Sequence, residues 1–359
     1  MWTAMRRIFL TLGALLAIGV LISIYWIARG GAFKSIENDF NGSCSSFPLE
    51  GSAEDILIDH ERGYAYLSIL DRMGVAQGRP PAPGMIGRLD LNVNPPVLSN
   101  ALTSTTEHMA PHGISLYIGK DGVRTLFMIN HPADRANGTE TINRYVEMAP
   151  GQFALTDTLS HPAVISPNDL VAVGPRQVYV VNDKGAEGTL DKMQEQLFGK
   201  GYSKLVYFDG DEGRIVLDDV ASGGGINVSP DGSKIYIAQT GGMNVRVLER
   251  NPLDGSLTDQ QLIELESAPD NIDIAADGNL TVATHADLMA LIQHFISGQP
   301  APSQVFAIDK NTDGDYAVEQ IYLNTGEEIS AGSVGATFGN QLLIGSITSR
   351  QVLICERDM

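Results

Sequence analysis

Short apolar runs recur along the chain, each led in by a pair of small polar or charged residues. Glu54-Asp55 leads Ile56-Leu57-Ile58, and His112-Gly113 leads Ile114-Ser115-Leu116. Asn168-Asp169 leads Leu170-Val171-Ala172-Val173, and Gly224-Gly225 leads Ile226-Asn227-Val228. Asp270-Asn271 leads Ile272-Asp273-Ile274, and Gly332-Ser333 leads Val334-Gly335-Ala336. Successive copies lie 46 to 62 residues apart. A turn and a second apolar strand follow most copies, as in Asp231-Gly232-Ser233 before Ile235-Tyr236-Ile237-Ala238. A hairpin cannot cover its own apolar face, so repetition at this period predicts stacked all-strand units. Six copies predict an all-β, six-bladed β-propeller. The first strand of a blade starts near the central channel, so the polar pairs should converge there.

Two stretches break the pattern. In Glu187 to Gly201, Leu190, Met193, Leu197 and Phe198 recur at helical spacing. In Ala286 to Ser297, Leu288, Leu291, Ile292 and Phe295 do the same. Two short helical inserts are predicted, lying outside the sheets over one end of the propeller. They either cap apolar surface or wall the mouth of the channel. Arg79-Pro80-Pro81-Ala82-Pro83-Gly84 reads as a loop.

The N-terminus has a different texture. Ile8 to Ala28 is a largely apolar run of 21 residues, long enough to cross a bilayer as a helix. Arg6 and Arg7 precede it, which predicts a cytoplasmic N-terminus. No small-x-small cleavage site stands out before Arg29, which favours an uncleaved signal anchor. Arg6-Arg7-Ile8-Phe9-Leu10 also fits a twin-arginine export signal. Both readings put the body in the periplasm or outside the cell. The expected division is a signal anchor over 1–30, a tether over 31–41 and a propeller over 42–359.

Composition adds three constraints. The formal net charge of −19 disfavours nucleic acid, whose binding needs clustered lysine and arginine. It suits cations, although acidic surfaces also serve solubility. The two cysteines, Cys44 and Cys355, sit near the two ends of the folded part. The ends of a closed propeller meet, so they read as one disulfide formed in an oxidising compartment; two unrelated buried thiols are the alternative.

The leading residues of the pairs are Glu54, His112, Asn168, Gly224, Asp270 and Gly332, with Asp55, Asp169 and Asn271 beside them. Carboxylates and amides without cysteine form a hard-oxygen set that suits calcium better than zinc. Such residues also satisfy backbone groups at strand starts, but here they recur at equivalent positions. His112 falls in the same ring, and His131 ends the hairpin of its blade. An imidazole beside a metal-polarised carbonyl is a hydrolytic arrangement. No Gly-x-Ser-x-Gly elbow is present, which disfavours acyl transfer through serine.

Pro111-His112-Gly113-Ile114-Ser115, Asn130-His131-Pro132, Asn168-Asp169 with Val173-Gly174-Pro175, and Asp270-Asn271 resemble the serum paraoxonase/arylesterase family. The resemblance runs over roughly 42 to 356 and includes both cysteines and the hydrophobic N-terminus. It implies a six-bladed propeller with two calcium ions in its channel, hydrolysing lactones and aryl esters. By that similarity Glu54, Asn168, Asp270 and Asn271 would bind the catalytic calcium. Asp55, Asp169 and the carbonyl of Ile114 would hold the structural one. His112 would be the general base, assisted by His131, with Asp183 and His285 close to the active site. Cys44–Cys355 would be the ring-closing disulfide. Gly224 departs from the family, which has asparagine there. The competing readings are a non-catalytic, calcium-stabilised binding or scaffold module and a gluconolactonase-type sugar-lactone hydrolase.

Overall fold

The computed structural model describes residues 2–79, 82–104, 108–311 and 314–358. Pro80 and Pro81 of the expected loop lie outside them, as does the side chain of Leu197. Twenty-four strands form six four-stranded antiparallel sheets, which are the blades of a six-bladed β-propeller. The first strands of the blades are Ser52–Asp59, Pro111–Ile118, Pro167–Gly174, Gly223–Val228, Ala268–Ile274 and Gly332–Phe338. Each touches the first strand of the next blade, and the last touches the first, so they enclose the channel.

The second strands, such as Arg124–Asn130, are buried almost throughout, because they lie between two blades. The fourth strands, such as Glu212–Val220, are largely exposed. The apolar core follows this division. There are six clusters, one for each blade-to-blade interface; Val171, Tyr179 and Leu205 of blade 3, for example, meet Ile226, Ile237 and Leu248 of blade 4.

Blades 1 to 5 each use four consecutive strands. Blade 6 takes its outer strand from the other end of the chain: Gly42–Pro48 pairs with Gln351–Arg357. Cys44 stands opposite Cys355 in this register and is bonded to it.

Helices Thr189–Phe198 and Leu288–Ser297 both follow the second strand of a blade, as expected. A short third helix, Arg72–Ala76, occupies the same place in blade 1 and was not legible from spacing. Second strands run antiparallel to first strands, so all three helices lie at the end of the propeller where the polar pairs begin. They do more than cap: Leu190, Met193, Phe198, Met289, Ile292 and Phe295 remain exposed. His294 fixes the blade-5 insert, bonding to Gln299 O at 2.6 Å and Thr348 Oγ1 at 2.7 Å.

Trp2–Arg29 is one helix, apolar and long enough over Met5–Arg29 to cross a membrane. Its C-terminal end meets the same end of the propeller. Trp26 packs edge-on against Phe198 with centroids 5.8 Å apart, and Arg29 Nη2 donates to Gly242 O at 2.9 Å. The Leu288 amide donates to Gly30 O at 2.8 Å. Residues 31–41 then run against blade 5, where Asp39 bridges to Leu323.

Candidate active site in the propeller channel

Every blade carries a bulge in its first ladder, and in every blade the bulge falls on the polar pair. The register skips between Ala53 and Ile56, Pro111 and Ile114, Pro167 and Asp169, Gly223 and Ile226, Pro269 and Ile272, and Gly332 and Val334. A bulge bends its strand and re-aims the side chains it carries. The registers make Glu54, His112, Asn168, Gly224, Asp270 and Ser333 equivalent. The sixth member is therefore Ser333, not Gly332, because Gly332 pairs with Ser346 as Pro167 pairs with Asn182. Ser333 Oγ donates to the Glu54 carbonyl at 2.6 Å, joining blade 6 to blade 1.

The same registers define a second tier, one residue after the partner of the pre-bulge position. It comprises Leu70, His131, Asp183, Thr240, His285 and Ile347. Asn130, Asn182 and Gln239, near the ends of their strands, support this tier. Their side-chain oxygens accept the amides of Ala110, of Ile165 and Ser166, and of Ala221, pinning the loops that enter the first strands.

Two glycines of the pairs are required by close approach. A Cβ at Gly113 would come 2.4 Å from Asp169 Oδ1, and one at Gly225 would come 2.7 Å from the Asn271 Cα. Gly113 thus makes room for the Asp169 carboxylate of the next blade, and Gly225 for the backbone at Asp270–Ile272.

Three buried oxygens in this region accept no hydrogen bond: Glu54 Oε2, Asn168 Oδ1 and Asn271 Oδ1. The Asn271 amide nitrogen donates to Glu54 Oε1 at 2.9 Å, which turns Asn271 Oδ1 away from that contact. Buried polar atoms ordinarily find partners, and an orphaned set of hard oxygens suits a cation such as calcium. Among the described residues no three His, Cys, Asp or Glu side chains converge on one point. Asp270, beside it, bonds through Oδ2 to His285 Nε2 at 3.0 Å.

Below this level a cavity of about 140 Å³ is lined by Asp55, Ile114, Asp169, Ile226 and Asp273, among others. Asp55 Oδ2 accepts the Ile114 amide at 2.8 Å, and Asp169 Oδ2 accepts the Ile226 amide at 2.8 Å. Burial raises Asp55 well above the usual carboxylate range, reinforced by the charge of Glu54. Burial raises Asp169 likewise, reinforced by Asp55. Asp273, a further channel carboxylate, is pushed up to about 8 by burial. This is concentrated negative charge that a divalent ion would offset.

His112 and His131 form a bonded pair, Nδ1 to Nε2 at 2.7 Å. His131 Nδ1 bonds in turn to Glu140 Oε2 at 2.7 Å, and Arg135 holds Glu140 Oε1 at 3.2 Å. Burial lowers His131 to about 4 despite its bond to Glu140. On the other side, His112 Nε2 lies 3.4 Å from Glu54 Oε2, too long to satisfy that oxygen. Burial alone would raise Glu54. His112, Arg72 and the Asn271 amide outweigh burial and hold it down at about 2. The result is a line of groups from Glu140 through both imidazoles to the orphaned carboxylate oxygen.

Asp183 faces Ser166, which bonds to its Oδ1, and Lys184 lies 3.6 Å from its Oδ2. Repeat spacing gave no signal for two other residues here. Glu140 enters just before the third strand of blade 2, outside any repeat position. Arg72 comes from the unexpected helix. It is partly buried, donates to Pro111 O at 2.6 Å and stands 4.0 Å from Glu54 Oε2.

A family model described as Arylesterase matches residues 49–357. Serum paraoxonase/arylesterase 2 of Bos taurus is 31% identical over 313 residues, covering 86% of each chain. Its counterpart in Gallus gallus is 32% identical over the same length and shares. A solved structure of a luciferin-regenerating enzyme superposes with a TM-score of 0.56, covering 89% of this chain and 96% of that one; at 13% identity it speaks to the fold alone. The fold is thus a six-bladed β-propeller, and the family model and these relatives support a hydrolase of the lactonase and esterase class. The chain belongs to the arylesterase family.

Proposed function

We propose that the protein is a calcium-dependent hydrolase of lactones and aryl esters, working at the channel mouth. The observation that carries this reading is the bonded His112–His131 pair set beside three orphaned, buried oxygens. Glu54, Asn168, Asp270 and Asn271 would hold the catalytic calcium. Asp55, Asp169 and the carbonyl of Ile114 would hold a structural one. Calcium, when bound, supplies Lewis-acid polarisation of the substrate carbonyl and electrostatic stabilisation of the developing oxyanion.

The chain's own residues do the rest. His112 takes a proton from water. Its Nδ1 is occupied by His131, which leaves Nε2 to act as base. His131 stays neutral through the working range, because burial keeps it near 4. Glu140 fixes the tautomer and tilt of His131. Asp183 and His285 form part of the wall around the substrate.

Residues 1–30 act as a single-pass anchor with a cytoplasmic N-terminus. The propeller over 42–359 then stands in the periplasm or outside the cell, with no nucleic-acid partner.

The test is a panel of lactones and aryl esters assayed on the full-length chain in detergent, with and without chelator. Turnover is expected to fall at least 100-fold in chelator and to return with calcium. Undiminished turnover in excess chelator would sink the reading. Gly224 favours one competitor, a non-catalytic module, under which no panel member turns over and calcium only raises the melting temperature. The His112–His131 pair argues against it, and also against a gluconolactonase-type enzyme.

A further inference from the structure

Blade 4 is the gap in the ring, since Gly224 has no side chain to offer. The space is not empty. A Cβ at Gly224 would stand 2.8 Å from Thr240 Oγ1, 3.1 Å from the Asp270 Cα and 3.2 Å from Pro269 O. The place a ring side chain would enter is taken, and the nearest atom there is an oxygen. Thr240 is the second-tier residue of the same blade. Its hydroxyl donates to Pro269 O at 2.7 Å, the carbonyl immediately before Asp270. That bond uses the hydroxyl's one hydrogen. No described group donates to its two lone pairs, which are free to accept or to ligate.

We infer that Thr240 supplies the oxygen that Gly224 lacks. Its hydroxyl completes the cation cradle from blade 4, and the glycine is the accommodation that lets it approach. The bond to Pro269 aims the lone pairs away from the blade-5 backbone. It also ties the new donor to the strand that carries Asp270 and Asn271. Hydroxyl and amide oxygens are both hard, neutral donors, so the exchange keeps the charge of the set. The inference rests on the calcium reading above.

The experiment is calorimetric titration of the chelator-stripped, full-length protein with calcium alone, paired with melting curves. Thr240→Val removes the oxygen at nearly constant shape. One calcium-binding step is expected to weaken by about tenfold or more, while the melting temperature in chelator falls only by what the lost bond to Pro269 O explains, a fall that Thr240→Ser avoids. Thr240→Ser is expected to stay within about threefold of the parent. A Thr240→Val isotherm that superimposes on the parent's overturns the inference and leaves the calcium reading standing. A parent that takes up no calcium overturns both.

A second pair of variants keeps the test sharp if Thr240→Val fails to fold. Gly224→Asn alone should bind calcium weakly, because Thr240 blocks the added side chain. Gly224→Asn with Thr240→Ala should bind like the parent. Equal binding by these two variants would mean that positions 224 and 240 do not share one space, and the inference fails.

Discussion

His112 is bonded at Nδ1 by His131, and its Nε2 faces the Glu54 carboxylate at 3.4 Å without a bond. Replacing it by glutamine keeps polarity and bulk but removes the proposed base. His112→Gln is expected to lower kcat by about 10²–10⁴-fold with an unchanged melting temperature. Steady-state kinetics and a melting curve check both halves. Glu140 acts one step further out, through His131. Glu140→Ala is expected to lower kcat by about tenfold with KM nearly constant and to shift the acidic limb of the pH profile, while Glu140→Asp recovers part of the loss. A profile unmoved by Glu140→Ala would make the residue a packing element only. Legibility at this scale followed the repeat. Glu54, Asn168, Asp270 and Asn271 could be found because they sit at equivalent positions before apolar runs. Glu140 and Arg72 could not, because they reach the site from a loop and from a short helix that has no period. Gly332 was misplaced by one residue, since a bulge shifts register without changing the apolar pattern.

The bulge is what turns a repeated strand into a site. It breaks the ladder where the polar pair stands and sends those side chains inward, while the apolar residues after it return to the interface. The pairs were readable as blade markers; the bulges were not, because they show only in the pairing. The helices behave differently. Their spacing was readable, yet their docking depends on contacts far apart in sequence. Gly31 is among the tightest of these, with φ +91° and a Cβ position 2.0 Å from Ala286 O. Any side chain there would meet the backbone that leads into Leu288–Ser297. Gly31→Val is therefore expected to lift the N-terminal helix from the propeller. Faster tryptic cleavage after Lys34, whose amine now bonds to Glu266 O at 2.6 Å, would report it. A cleavage rate equal to the parent's would mean that the contact is incidental.

For the whole molecule, channel charge and ring closure matter most. Asp273 is raised to about 8, so at neutral pH the folded state holds a proton that the unfolded chain has released. Its contribution to stability is complete below about pH 3.8 and is lost as pH rises through 8. His131, lowered to about 4, has the opposite sense: its contribution is complete above about pH 6.5 and is lost as pH falls through 4. Between pH 6.5 and 8 the raised carboxylates act while the contribution of His131 is already complete. The chelated protein is therefore expected to melt at lower temperature as pH rises across that window, and Asp273→Asn should flatten the fall. A pH-independent melting temperature in chelator would contradict this. Closure was the most legible global feature, since two cysteines at the ends of a repeat array have one natural meeting place. The bond spans 311 residues of sequence, for which chain entropy gives roughly 5 kcal/mol as an upper figure. Replacing both cysteines by serine is expected to lower the melting temperature while leaving KM unchanged, because neither touches the channel mouth.

The borrowed outer strand of blade 6 also sets an order of events during synthesis. Gly42–Pro48 is among the first strands made, yet its partner Gln351–Arg357 is among the last. Cys44 must therefore wait as a free thiol, and its strand as an open edge, while the other blades are built. The outer edge of blade 6 can be covered only once both of these strands are present. The ring oxygens from blades 1 and 5 sit on either side of blade 6, so the cation cradle takes its final shape only at that moment. A chain without Gln351–Arg357 would carry every proposed ligand and still leave Gly42–Pro48 unpaired and blade 6 incomplete.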